Sequence, residues 1–205
     1  MVELMTNDLV FAKVKTDAII PTKEEEDAGR DVYACFDEDY MIIPAHTTRL
    51  IPTGIASAMT PKYEIRLRDR GSNGSKGIHV NSGSIDSGYR GEWFVAWCNT
   101  NDRDVVLSKL TLEELINKYK IECYSEDDCF GFVTIPFNPS EENSEEFVLI
   151  DEEHNGGVIV YPYTKAIAQA EVCEVPVMNQ YEISYEELKS IPSKRGTGAL
   201  GSSGK

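Results

Sequence analysis

Asn81-Ser82-Gly83-Ser84-Ile85-Asp86-Ser87-Gly88-Tyr89-Arg90-Gly91-Glu92 is the stretch on which the reading of this chain turns. Its three glycines, with Gly71, Gly74 and Gly77 just upstream, place six of the chain's 15 glycines between positions 71 and 91, and four more lie between Gly196 and Gly204. Glycine costs backbone entropy and is used where a chain turns tightly or lets a ligand approach its main chain, so both windows are candidate binding segments. Upstream of the quoted stretch, Arg66 and Arg68 alternate and lead into Asp69-Arg70-Gly71-Ser72-Asn73-Gly74-Ser75-Lys76-Gly77. A guanidinium fork, bare backbone N–H groups, hydroxyls and a point cation together suit phosphate oxygens. The Gly-Lys-Ser/Thr of a Walker loop is missing. The C-terminal window, from Lys194 and Arg195 to Gly204 and Lys205, repeats this chemistry, and two such windows would serve one polyphosphate.

The chain has 205 residues, which suits one domain or one domain with a large insertion. With 27% charged and 41% hydrophobic residues it has an ordinary globular composition. No apolar stretch reaches the roughly 18 residues of a membrane span. The segment from Met1 to Phe11 carries Glu3 and Asp8 and no basic residue, unlike a secretory leader, so the expectation is a cytoplasmic protein. Twenty Lys and Arg against 35 Asp and Glu give a net charge of -15, which argues against a sequence-independent grip on nucleic acid or on an anionic membrane. The acidity is local: Ile121 to Thr164 holds eleven acidic residues and no Lys or Arg. Five cysteines without a Cys-x-x-Cys pair read as reduced thiols.

Short β runs broken by turn residues dominate: Leu9 to Val14, Val32 to Phe36, Tyr40 to Ile43, Arg49 to Ile51, Ile55 to Met59, Tyr63 to Arg68, Trp93 to Cys98 and Ala166 to Val175. Closely spaced strands without alternating helices indicate an all-β barrel or sandwich. Thr111 with Glu114 reads as a capping box opening a helix with the apolar stripe Leu112, Leu115, Ile116 and Tyr119. Ser184 precedes a short helical turn at Tyr185 to Leu188, and Ser193 to Lys205 reads as a flexible arm.

The quoted stretch closely resembles the third motif of the trimeric dUTP pyrophosphatases (dUTPases), Gly-x-Ile-Asp-x-x-Tyr-Arg-Gly. The other four motifs then match in order. Asp27 to Val32 is similar to the first, Arg70 to Lys76 to the second, Ile167-Ala168-Gln169 to the fourth, and Arg195 to Gly204 to the fifth. The resemblance implies an all-β, jelly-roll-type barrel assembled as a homotrimer, with each site at a subunit interface closed by a C-terminal arm. It implies hydrolysis of dUTP to dUMP and pyrophosphate with Mg2+, which keeps uracil out of DNA and supplies dUMP for thymidylate synthesis. Carried over by residue, Asp86 orients and polarises the attacking water. Asn81, Gly83 and Ile85 line the uracil slot, and Tyr89 packs under the deoxyribose. Arg70, Gly71, Ser72, Gln169, Arg195, Gly201, Ser202 and Ser203 bind the phosphates, and Asp31 meets the metal through water. The order Arg70-Gly71-Ser72 departs from the usual Arg-Ser-Gly, and Ala166 stands where an Arg precedes Ile-Ala-Gln. Leu200 stands where a Phe lies over the base, so an aromatic from Trp93-Phe94 could supply the missing ring.

Residues 1–192 then form the barrel, interrupted at about 101–160 by a small α+β insertion, with 193–205 as the arm. Its size resembles that of enlarged bacteriophage members, and its acidic face could dock a basic protein partner. Two rivals remain. A dCTP deaminase shares the fold but needs a glutamate at the position of Ala96, and a nucleotide-gated regulatory protein would signal through the insertion.

Overall fold

Apolar residues alternating with polar ones, and turns made by Pro and Gly, divide the chain into many short strands. The computed structural model describes residues 3–119, 121–124, 131–140, 146–151, 157–194 and 196. In chain order the elements are β1 (Leu9–Lys13), β2 (Gly29–Val32), β3 (Tyr40–Ile43), β4 (Thr48–Pro52), β5 (Ile55–Met59), β6 (Tyr63–Arg68), a single turn α1 (Gly71–Gly74), β7 (Ile78–Val80) and β8 (Ser84–Ile85). They continue as β9 (Phe94–Asn99), β10 (Val105–Ser108), α2 (Leu112–Tyr119), β11 (Ile121–Tyr124), β12 (Gly131–Pro136), β13 (Glu146–Asp151), β14 (Ile159–Pro162), β15 (Ala168–Glu174) and α3 (Tyr185–Ser190). The architecture is all-β, as the strand pattern indicates, and of the jelly-roll-like kind that the resemblance implies. Among the described residues no helix is long and apolar enough to cross a membrane.

Two compact units divide the chain, Met1–Val175 and Pro176–Lys205. In the first, four small sheets wrap one core. They run β2-β15-β6-β8, β4-β9-β7, β1-β5 and β14-β10-β3. Strand β6 shows the rule: Ile65 and Leu67 are buried while Arg66 and Arg68 point to solvent. Strand β9 likewise sends Val95 and Trp97 inward, and the centre is filled by Trp93, Trp97, Phe36, Ile51, Ile55 and Ile65.

In the sheet β14-β10-β3, strands β10 and β3 are covered on both faces, which is why they read as near-continuous apolar runs. Ile43, Val105 and Leu107 belong to the barrel core, whereas Ile42 and Val106 pack on the other side against Leu115 of α2 and Ile135 of β12. Strands β10 and β14 are parallel, in register Val105↔Ile159 to Ser108↔Pro162. A parallel pair needs a crossover. Here it carries α2 and the antiparallel sheet β11-β12-β13. Helix α2 opens with the capping box read from the sequence: the Glu114 N–H donates to Thr111 Oγ1 at 3.2 Å and the Thr111 N–H to Glu114 Oε2 at 2.8 Å. The expected strand at Val32 to Phe36 instead begins earlier, as β2, because Gly29 to Val32 pair with β15. The Val32 carbonyl accepts from Ile167, and the Cys35 N–H turns to the Pro52 carbonyl at 2.8 Å.

In the second unit α3 is capped by Ser184, whose side chain accepts from the Glu187 N–H while Glu187 bonds back to the Ser184 N–H. Val177, Met178 and Tyr181 in this unit are 94%, 78% and 80% exposed.

Candidate functional site

Strand β8 is held against β6 by two pairs, Ile65↔Ile85 and Arg66↔Ser84. The chain therefore leaves the sheet at Asp86, and it turns at once, the Tyr89 N–H donating to the Asp86 carbonyl at 3.0 Å. It rejoins the core at Trp93, which is fully buried, edge-on to Phe11 with ring centroids 5.5 Å apart. The segment is thus a loop between two sheets, since its upstream end bonds to β9, with the Asn81 N–H on the Ala96 carbonyl at 2.8 Å and the Ala96 N–H on Ser82 Oγ at 2.7 Å.

Ser84, Ile85, Asp86, Tyr89, Glu92 and Phe94 line a cleft of about 230 Å³ beside this loop. Drug-sized ligands usually occupy about 300 Å³ or more, so the described residues that line this cleft enclose less than such a ligand fills. Among the described residues the Asp86 carboxylate makes no hydrogen bond or ion pair, which leaves its oxygens able to accept from a bound water. Tyr89 and Phe94 put two half-exposed rings on the cleft. The Tyr89 ring lies across Gly91, where a Cβ would sit 2.3 Å from the tyrosine oxygen, and its hydroxyl donates to the Glu92 carbonyl at 2.9 Å. Of the uracil-slot candidates, Ile85 lines the cleft; Asn81 and Gly83 precede β8 and do not.

A second cluster forms where β2, β15, α1 and the turn before β15 meet. Arg70 is the residue before α1; its Nη2 donates to Asp31 Oδ2 at 3.3 Å and its Nη1 to the Ala166 carbonyl at 3.2 Å. Gln169 stands opposite Asp31 on one side and opposite Arg68 on the other. Gly71 and Ser72 are exposed, and nothing lies within 4 Å of where a Gly71 Cβ would be. Beneath them is a buried polar brace. Asn73 is 3% exposed, with Nδ2 3.5 Å from the Ile167 carbonyl and Oδ1 3.0 Å from the Tyr161 hydroxyl. The Tyr161 hydroxyl lies 2.7 Å from the Ala166 carbonyl, and Trp97 Nε1 donates to Ile167 at 3.1 Å. The carbonyls of the Ala166-Ile167 turn are therefore all satisfied, as buried polar groups require. On the other side of α1, Asp69 accepts from the Val80 N–H and faces His79 Nδ1 at 3.1 Å, which ties the Arg70 loop to β7.

Asp31, Arg70 and Gln169 are thus brought together, and Ile85, Asp86 and Tyr89 are brought together. Arg195, Leu200, Gly201, Ser202 and Ser203 lie outside the described residues. Sequence reasoning missed Asn73, Asp69, Glu92 and Ser84. Only Asn73 and Asp69 carried a signal, as polar residues inside the basic glycine loop.

A jelly-roll-like barrel that sets a carboxylate on a glycine-bounded loop, and an Arg from a second loop against an Asp of β2, supplies the groups that a nucleotide-hydrolase class of protein uses. The dUTPase family model matches residues 15–111. The deoxyuridine 5'-triphosphate nucleotidohydrolase of Rickettsia prowazekii (strain Madrid E) is 35% identical over 107 residues, 50% of this chain and 72% of that protein. The one from Orientia tsutsugamushi (strain Boryong) is 37% identical over 99 residues, 46% of this chain and 66% of that protein. The chain belongs to the dUTPase family. It spans about two thirds of the length of these bacterial relatives. In fold it is similar to the Staphylococcus bacteriophage 80alpha dUTPase solved with dUPNHPP, with TM-score 0.59 and 21% identity over 98% of this chain and 100% of that one. A mutant dUTPase from phage phi11 of S. aureus gives TM-score 0.55 and 16% identity over 88% and 99%.

Proposed function

We propose that this chain hydrolyses dUTP to dUMP and pyrophosphate, with Asp86 as the residue that orients and polarises the attacking water. The observation that carries this reading is the Asp86 carboxylate, without a partner among the described residues, in a cleft walled by Ile85, Tyr89 and Phe94. A water held by Asp86 attacks the α-phosphorus. A new P–O bond forms, the bond to the bridging oxygen of the β-phosphate breaks, and pyrophosphate leaves with that electron pair. The water's proton passes to Asp86 and then to solvent. Asn81, Gly83 and Ile85 read uracil and Tyr89 carries the deoxyribose; Phe94 supplies the aromatic face that Leu200 lacks.

Arg70, Gly71, Ser72 and Gln169 take the phosphates, joined by Arg195, Gly201, Ser202 and Ser203 of the arm. Arg70 has five N–H donors and the Asp31 and Ala166 bonds engage two, so it can hold its loop and still meet an oxyanion. The small cleft supports a homotrimer whose arms complete one another's sites.

The family generally uses Mg2+, and the phi11 dUTPase structure is described as revealing the coordination of a structural Mg(II) ion. Among the described residues no group of three or more His, Cys, Asp or Glu could hold a metal directly. Mg2+ keeps several waters and takes few carboxylates, so Asp31, beside Arg70, would hold a hydrated ion through its waters. When bound, Mg2+ would neutralise charge on the phosphate oxygens.

The test is pyrophosphate release from dUTP, dCTP, dTTP and UTP with Mg2+, with Asp86→Asn as the control. Cleavage of dUTP alone and a dead control are expected; dUTP that binds and survives refutes the reading. Uracil products from dCTP would mark a deaminase, but Ala96 offers no carboxylate on β9.

A second reading concerns the insertion. No described residue between β10 and β14 lines the cleft, and α2 docks on the barrel through Leu115 on a different sheet. Phage 80alpha dUTPases are described as controlling transfer of virulence genes. The acidic residues Glu141, Glu142, Glu145, Glu146, Asp151, Glu152 and Glu153, of which 141, 142, 145, 152 and 153 lie outside the described residues, would be what a basic protein partner recognises. A variant with the four glutamates at 141–146 changed to Gln, active on dUTP but unable to retain a partner that the parent retains, supports this; equal retention refutes it.

A further inference from the structure

Glu92 is the last residue of the loop that carries Asp86 and Tyr89, and its side chain reaches out of that loop. Its Oε1 accepts the Gly54 N–H at 2.7 Å, across 38 residues of sequence. Gly54 is a fixed point. Its φ is +66°, its carbonyl accepts from the Val14 and Lys15 N–H groups at 2.7 and 3.1 Å, and Ala18 and Cys35 fill the space where a side chain would go. The loop on the other side is braced mainly within itself. Arg90 Nη1 donates to the Ser87 and Tyr89 carbonyls at 2.6 and 2.9 Å, the Tyr89 hydroxyl to the Glu92 carbonyl at 2.9 Å, and the Tyr89 N–H to the Asp86 carbonyl. Among the described residues, the side-chain bonds that leave the loop between Asp86 and Glu92 are the Glu92–Gly54 bond and Arg90 to the Ser57 carbonyl at 3.5 Å, a length at which little strength remains. A charge-assisted bond from a carboxylate to a buried N–H is the stronger kind.

We propose that Glu92 is a positioning residue: by clamping the Asp86–Tyr89 loop to the Gly54 turn, its carboxylate sets where Asp86 and the Tyr89 ring stand in the cleft. This rests on the dUTPase reading above. The Tyr89 ring is coupled to the clamp directly, since its hydroxyl bonds the Glu92 main chain and Gly91 leaves it room to do so. Removing the carboxylate leaves the buried Gly54 N–H unpaired and frees the loop to swing as one body, while the core anchors at Trp93 and Thr53 remain, with Thr53 Oγ1 still donating to the Trp93 carbonyl at 2.7 Å. Displacements of about 1 Å at a reacting group cost up to roughly 100-fold in rate.

The experiment compares the parent chain with Glu92→Ala and Glu92→Gln, the second of which keeps a carbonyl acceptor for Gly54. Steady-state kcat and KM for dUTP are measured beside amide hydrogen exchange of Gly54 and of residues 86–92. Expected are a kcat lowered about 10- to 100-fold in Glu92→Ala, faster exchange confined to Gly54 and the loop, and return to within about threefold of the parent in Glu92→Gln. Unchanged kinetics in Glu92→Ala overturns the clamp and leaves the dUTPase reading standing. Equal damage in both variants also overturns it, since charge rather than the acceptor would then matter. If the parent itself does not cleave dUTP, the dUTPase reading fails, and exchange at Gly54 and residues 86–92 unchanged by Glu92→Ala overturns the clamp separately.

Discussion

Gly54→Ala provides the strictest test of how the β4–β5 turn is built. Gly54 sits at φ +66°, where an L-residue costs about 1–2 kcal/mol. A Cβ there would lie 2.8 Å from both the Ala18 Cβ and the Cys35 Sγ. Both neighbours are 1% exposed, and neither is the free end of a long side chain, so they cannot step aside. Overpacking of this kind costs about 1–3 kcal/mol. The lower entropy of an unfolded chain with Ala returns about 0.4–1 kcal/mol. The net loss is centred near 3 kcal/mol, a large share of the 5–15 kcal/mol by which a domain is folded. For a unit of this size that lowers Tm by about 6–12 °C. Calorimetry and urea unfolding at one fixed protein concentration read it, because assembly would make Tm concentration-dependent. The urea midpoint should fall with the slope m unchanged. Gly83→Ala is the matched control, since nothing lies within 4 Å of its Cβ position and its φ is not positive, so it should stay within about 0.5 kcal/mol. A Gly54→Ala protein melting within 2 °C of its parent, by a scale of about 2–4 °C per kcal/mol, would refute this account of the turn.

Gly91→Ala should behave in the opposite way: the Cβ meets only the exposed Tyr89 ring, so Tm holds while KM for dUTP rises; a lowered Tm with unchanged KM would contradict this. Phe94→Ala empties one wall of the cleft without touching the core, and a several-fold higher KM with little change in kcat is expected; identical kinetics would remove Phe94 from the base site. Hydrogen bonds from Lys118 first and Tyr119 second hold the Asp39 carboxyl below its ordinary range, and both donors belong to α2. A depressed carboxyl contributes stability that is present above its unfolded value and is lost as pH falls through the folded one. Amide protection in α2, taken relative to the intrinsic exchange rate at each pH, should therefore fall on acidification below about pH 4 and should lose that fall in Asp39→Asn; equal loss of protection in the two proteins would refute the link.

Legibility followed the length of each pattern. Strand β6 declares itself because six residues suffice to show period two, and α2 and α3 because Thr111–Glu114 and Ser184–Glu187 are complete capping boxes. Strands β7 and β8, at three and two residues, are too short to carry a period. Strand β10 reads Val-Val-Leu-Ser because both its faces are covered, and an unbroken apolar run of four does not say which sheet it joins. In the site, Ile85, Asp86 and Tyr89 stood out through their motif, and Asp31, Arg70 and Gln169 through theirs. Glu92 did not, since its importance lies in a bond to Gly54 that no local spacing encodes.

The long connection between β10 and β14 is accommodated for a reason that lies in the topology. Because β10 and β14 are parallel neighbours, the chain must cross over between them whatever the length of the connection, and lengthening a connection costs little further loop entropy. The crossover leaves and returns on a sheet whose inner face already belongs to the core, so added residues can only pack outward, onto Ile42 and Val106. The cleft is built from β6, β8 and β9 and from the loop after β8, and its register depends on none of the crossover residues. Growth at this one connection can therefore give the barrel a new surface while the geometry around Asp86 stays as the core sets it.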